Sequence, residues 1–107
     1  MRESVKDAVT DDIEIEMAKS VALHEKHSVY PSDPLRRTAL MCEEAGEALK
    51  AALDLTRRQR TGALSDIHTA KPVADMRKDL YTEVTQTAVM AIRLLQAMKE
   101  EDGVEYD

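Results

Sequence analysis

The chain has 107 residues, 43% hydrophobic and 34% charged, with three Gly, three Pro, no Trp and no Phe. That composition fits one helical domain with one core and excludes a disordered chain. The net charge of −6 sits at the ends: residues 1–16 hold two bases and six acids, residues 99–107 one base and five acids, and residues 17–98 twelve bases and ten acids, a balance of +2. No basic stripe with interleaved aromatics marks a nucleic-acid polymer as partner. The apolar runs are far too short for a membrane span. The opening "MRESVKDAVTDD" has no apolar core of a secretory signal, so a cytoplasmic location is the default expectation. The single cysteine, Cys42, excludes an intrachain disulfide and reads as a small apolar residue on a packed helix face.

A first helix is expected from about Thr10 to His27, with residues 1–10 as a flexible tail. Thr10 or Asp11 caps it, Asp11 and Glu14 fit a capping box, and Ile13, Met17 and Val21, with Ala18 and Ala22 beside them, recur at helical spacing. "SVYPSDP" breaks it. His24 and His27 read as polar groups at the helix end. Asp33 before Pro34 starts a second helix as an N-cap followed by proline. It runs to about Arg60 and ends near Thr61-Gly62. "GALSDIHTAK" is a polar linker. Pro72 opens a third helix to about Glu101, closed by Gly103, and 102–107 form a second flexible tail. The whole of 1–107 therefore reads as a single all-α domain, an antiparallel bundle of three main helices. Two long helices with broad apolar faces exceed what one short partner covers, so a homodimer or higher homo-oligomer is expected to complete the bundle.

"CEEAGEALKAALD" places Glu43, Glu44 and Glu47 on a helix otherwise rich in Ala and Leu. At about 100° per residue, Ala39, Cys42, Ala45, Gly46, Leu49, Ala52 and Leu53 share one apolar face. Leu40, Glu44, Glu47 and Ala51 form a separate stripe, with Glu43 on its polar flank near Lys50. On the third helix the apolar face is Met76, Leu80, Val84, Thr87, Ala91, Leu94 and Met98. Asp79, Glu83, Gln86 and Met90 run beside it. A carboxylate among apolar residues must be neutralised, paired or metal-bound. Glu43, Glu44 and Glu47 taken alone fit a solvated face, and Glu83 alone could pair with Lys19. Facing one another across antiparallel helices, the two acid stripes suit a hard divalent cation, and Mg²⁺ in particular works with carboxylates and a phosphorylated ligand.

These residues resemble a family. "EEAGEALKAALD", followed by "DLYTEVTQTAVMAIRLL", looks like the MazG-like all-α nucleoside triphosphate pyrophosphohydrolases, a superfamily that includes dimeric dUTPases and phosphoribosyl-ATP pyrophosphohydrolases. The resemblance covers roughly residues 10–100 and is similar in detail to small MazG-like proteins of phages and actinobacteria. Glu43, Glu44 and Glu47 match the family's E-E-x-x-E. Glu83 matches the first position of E-x-x-D, where Gln86 replaces the aspartate, and the gap between the motifs is longer than usual. The resemblance implies Mg²⁺, with Mn²⁺ as a substitute, held by Glu44, Glu47, Glu83 and Gln86, with Asp79 able to compensate for the lost charge. Glu43 would orient or deprotonate the attacking water. Cations must then hold phosphates, with Arg57, Arg58, Arg60, Lys71, Arg77 and Lys78 as candidates; Arg57–Arg60 also fit a cationic helix C-terminus complementing its dipole. The implied reaction hydrolyses a nucleoside triphosphate to monophosphate and pyrophosphate. The alternative is a MazG-like helical protein with weakened catalysis, acting as a nucleotide-binding or protein-interaction module. With only Tyr30, Tyr81 and Tyr106 as aromatics, the base is not specified.

Overall fold

The structure is a computed structural model, and residues 4–27, 30–61 and 71–106 are described. The expected linker, residues 62–71, lies outside these except for Lys71, as do residues 1–3, 28–29 and 107. The described chain is all-helical: α1 Val5–His27, α2 Pro34–Thr61 and α3 Val73–Asp102.

Helix α1 starts earlier than expected and takes in residues 5–10, which the sequence pattern assigns to a tail. The cap is Ser4, whose Oγ accepts the Asp7 backbone N–H at 3.1 Å. Thr10 is instead inside the helix, its hydroxyl donating to the Lys6 carbonyl at 2.9 Å. Serine competes well for an N-cap, and no residue between it and Thr10 opposes a helix. The start of α2 is as expected: Asp33 Oδ1 accepts the Arg36 N–H at 2.8 Å, which satisfies an otherwise orphaned donor. Helix α3 follows Pro72 and ends at Gly103, whose φ of 63° is the left-handed conformation. The backbone N–H groups of Gly103 and Val104 both reach back to the Met98 carbonyl, that of Val104 at 3.3 Å, and so satisfy an otherwise orphaned acceptor of the last turns.

Helix α3 is the centre of the bundle: it packs extensively on α2 and less on α1, while α1 and α2 make no backbone approach of their own. Arg37 near the start of α2 meets Glu101 near the end of α3, so those two run antiparallel. Helix α1 runs along α3 in the same direction, with Tyr81 bonded to Asp12 at 2.5 Å and Arg93 to Ser20 at 3.1 Å.

The core is small. Leu55, Val89, Met90 and Ala97 are the buried apolar residues among those described, and α1 buries none. Of the α1 positions singled out, Ile13, Met17 and Val21 are half-buried, whereas Ala18 and Ala22 are exposed. The expected apolar face of α2 is not the face that packs. Ala39, Cys42, Ala45, Gly46, Leu49 and Leu53 are exposed, and Leu49 keeps 61% of its surface in solvent. The side against α3 is built from Arg37, Leu40, Met41, Glu44, Ala48, Ala51 and Leu55. Cys42 is accordingly an exposed thiol and not a packed one. The physical reason is that α2 is apolar on two opposite sides, and a wheel alone does not say which side a neighbouring helix takes.

Candidate metal and phosphate site

The acid-bearing stripes of α2 and α3 meet at Glu44, Glu47 and Glu83. Leu40, Glu44, Glu47 and Ala51 on α2 recur at intervals of four, three and four residues, as do Asp79, Glu83, Gln86 and Met90 on α3, and such spacings keep side chains on one helix face. Carboxylate oxygens of Glu44, Glu47 and Glu83 lie within 4.8 Å of one another. Glu44 and Glu83 are half-buried and Glu47 is exposed.

Glu44 Oε2 and Glu83 Oε2 are buried and lack a hydrogen-bond partner among the described residues. No ion pair joins Glu83 to Lys19, the alternative open from sequence; the ion pairs among the described residues lie elsewhere. Burial lifts the Glu44 carboxyl above its usual range, and the charges of Glu47, Glu83 and Glu43 add to it. Glu83 is raised by burial first, then by the charge of Glu47 and a hydrogen bond with it, then by Asp79. Three acids sharing space with two buried oxygens that no basic side chain among the described residues reaches form a donor set suited to a hard divalent cation.

The other residues singled out from sequence fall around this centre. Glu43 is exposed, beside the three-acid group and outside it. Gln86 lines a groove with Glu44, but its amide nitrogen is 3.5 Å from Glu16 Oε1 on α1. Asp79 pairs with Lys71 at 2.6 Å instead of joining the acids. Lys71 also presents its carbonyl to Arg58 at 2.8 Å. Arg57, Arg60, Arg77 and Lys78 are exposed and line neither cleft that borders the acids.

The acids stand between two clefts. An open one of about 740 Å³ contains Glu47 and Glu83 with Lys50, Asp54, Lys71, Asp79 and Thr82. A smaller groove of about 200 Å³ contains Glu44 and Gln86 with an apolar floor of Leu23, Leu40, Val89 and Met90. Lys50 in the open cleft was singled out from sequence only as a neighbour of Glu43. Its position one turn after Glu47, with Ala51 beside it, is the signal that could have placed it.

A second cluster was not foreseen. Arg37 is buried, with 7% of its surface exposed, donates to Glu101 at 2.6 and 3.1 Å and to the Pro31 carbonyl at 2.8 Å. The Arg93 guanidinium stacks on the Tyr30 ring at 3.9 Å and donates to Ser20 Oγ and to His24 Nδ1. His24, expected as a plain helix-end group, is lowered in pKa by burial and then by the Arg93 charge. Only an arginine flanked by apolar residues, as in "AIRLL", hints at such a group in sequence.

No protein-family model, curated protein or solved structure matches the chain. Among the described residues, no helix is long and apolar enough to cross a membrane.

Proposed function

We propose that the protein is a Mg²⁺-dependent nucleoside triphosphate pyrophosphohydrolase, releasing monophosphate and pyrophosphate, and that it acts as a homo-oligomer in the cytoplasm. The observation that carries this reading is the trio Glu44, Glu47 and Glu83 with two buried, unpartnered carboxylate oxygens. Those three residues would hold the cation. Mg²⁺ there, or Mn²⁺ in its place, supplies countercharge to phosphate oxygens and makes water more acidic.

The remaining work falls to the chain's own side chains. Glu43, exposed beside the trio, orients a water and takes its proton. Lys50 and Lys71 line the open cleft next to Glu47 and Glu83, within a wall that also carries Asp54 and Asp79. They are placed to hold phosphate oxygens as charged donors, and Lys71 must leave Asp79 to do so. The smaller groove has the apolar floor that an organic ring needs and polar rims at Ser20, His24 and Gln86. A charged cleft and an apolar one meeting at the acids suit a substrate with an anionic tail and a flat head.

A second reading, binding without turnover, draws on Gln86: it brings no charge, and its amide nitrogen is directed to Glu16. A panel of nucleoside and deoxynucleoside triphosphates with Mg²⁺ or Mn²⁺, assayed for pyrophosphate release, decides between them. Turnover on at least one, lost in Glu47→Gln, is the expected result. Metal-dependent nucleotide binding without pyrophosphate release would replace the hydrolase with the binding module.

A further inference from the structure

The smaller groove carries two charges that the metal and phosphate chemistry leaves unused. Glu16 and Lys19 stand one turn apart on α1 and both line it, beside Gln86 of α3. Glu16 is half-buried and Lys19 is exposed. Neither forms an ion pair among the described residues. The Gln86 amide nitrogen lies 3.5 Å from Glu16 Oε1, a contact at the weak end of the hydrogen-bond range. An ionised carboxylate has about four accepting sites, so a ligand that donates to Glu16 finds most of them open. A half-buried carboxylate above an apolar floor gains from such a ligand more than a solvated one does.

We propose that this groove takes a guanine ring and that Glu16 reads its edge. The inference rests on the nucleotide reading above and adds the base which that site selects. Leu40, Val89 and Met90 belong to the apolar floor and would cover a face of the ring; aliphatic and thioether groups do this without an aromatic platform. The rim then meets the edge of the base, where an unstacked base is read by hydrogen bonds.

The choice of guanine follows from donors and acceptors. Guanine offers two neighbouring donors on that edge, the ring N–H and the 2-amino group, which match the two oxygens of one carboxylate. Its O6 stands next to them as an acceptor for the Lys19 ammonium. Adenine and cytosine turn a ring-nitrogen lone pair towards the carboxylate instead. Uracil sets its one ring N–H between two carbonyls, and both repel the carboxylate. A site built to receive donors rejects a base that lacks them, because its own polar groups are then left unpaired.

Titration calorimetry of the full chain with Mg²⁺ and nucleoside monophosphates reads the groove without turnover. GMP should bind roughly 10- to 100-fold tighter than IMP, which lacks only the 2-amino donor, and tighter still than AMP, CMP and UMP. Glu16→Gln should reverse the order at unchanged circular dichroism, since an amide offers one donor and one acceptor, the complement of adenine's edge. Lys19→Met should weaken GMP and IMP alike, because both carry O6. Equal affinity for GMP and IMP, or a Glu16→Gln variant that still prefers GMP, would overturn the guanine site. Pyrophosphate release from the triphosphates with no preference for GTP would remove it too and leave the hydrolase standing. Selective GMP binding without pyrophosphate release would do the reverse, and binding of no nucleotide at all would end both.

Discussion

Replacing Glu83 by Gln separates a metal site from a structural ion pair. At an effective dielectric constant of about 20, two full charges 4.8 Å apart, the span of the trio, repel by roughly 3.5 kcal/mol. Glu83→Gln removes two of the three pairwise repulsions. The cluster already softens these by holding protons longer, as the raised Glu44 and Glu83 carboxyls show, and Glu47 is screened by solvent. The net relief in EDTA is therefore about 1 kcal/mol, which raises the melting point of a domain this size by roughly 4–8 °C. Excess Mg²⁺ at about 100 times its dissociation constant adds about 2.7 kcal/mol to wild type and little to the variant. The pH dependence has a definite sign. Folded Glu44 and Glu83 bind protons more tightly than they do in the unfolded chain, so their contribution to apo stability falls as pH rises above 4.5, the unperturbed value, through the raised folded values. The advantage of Glu83→Gln over wild type in EDTA is thus widest near neutral pH and shrinks on acidification. Differential scanning calorimetry of both proteins, with EDTA and with Mg²⁺, measures all of this. If Glu83 instead neutralises a buried cation, the change leaves that cation unpaired and the melting point falls. A fall in EDTA, together with no Mg²⁺ stabilisation of wild type, would refute the metal site.

Two further outcomes follow from other parts of the fold. The hydrogen bond and charge of Arg37 hold the Glu101 carboxyl below its usual range, so the pair stabilises the fold above the ordinary glutamate range and its contribution disappears as pH falls through the lowered folded value. Glu101→Gln should therefore lower the melting point at pH 7 and show a smaller loss on acidification than wild type; equal acid sensitivity of the two would remove the pair from the account. Asp33→Ala removes the side-chain cap of α2 and should destabilise the protein by about 1 kcal/mol in urea unfolding, with Asp33→Asn retaining most of the stability.

Local sequence signals determined most of the helical framework. Asp33-Pro34, Gly103 and the "SVYPSDP" break act within a few residues of themselves, so their effects could be read without knowing the neighbours. The stripes bearing Glu44, Glu47 and Glu83 were equally legible, because helical periodicity assigns side chains to faces. Ser4 was overlooked as a cap because Thr10 and Asp11 offered the same chemistry six residues on. Tertiary structure decided what each face meets. Helix α2 is apolar on opposite sides, and only the approach of α3 shows that Glu44, Leu40 and Leu55 turn inward while Leu49 and Leu53 stay in water. It also sent Gln86 towards Glu16, tied Asp79 to Lys71, and stacked Arg93 on Tyr30 across more than sixty positions of chain. Those pairings depend on where separate helices come to rest against one another, and periodicity along one helix carries no information about the partner opposite it.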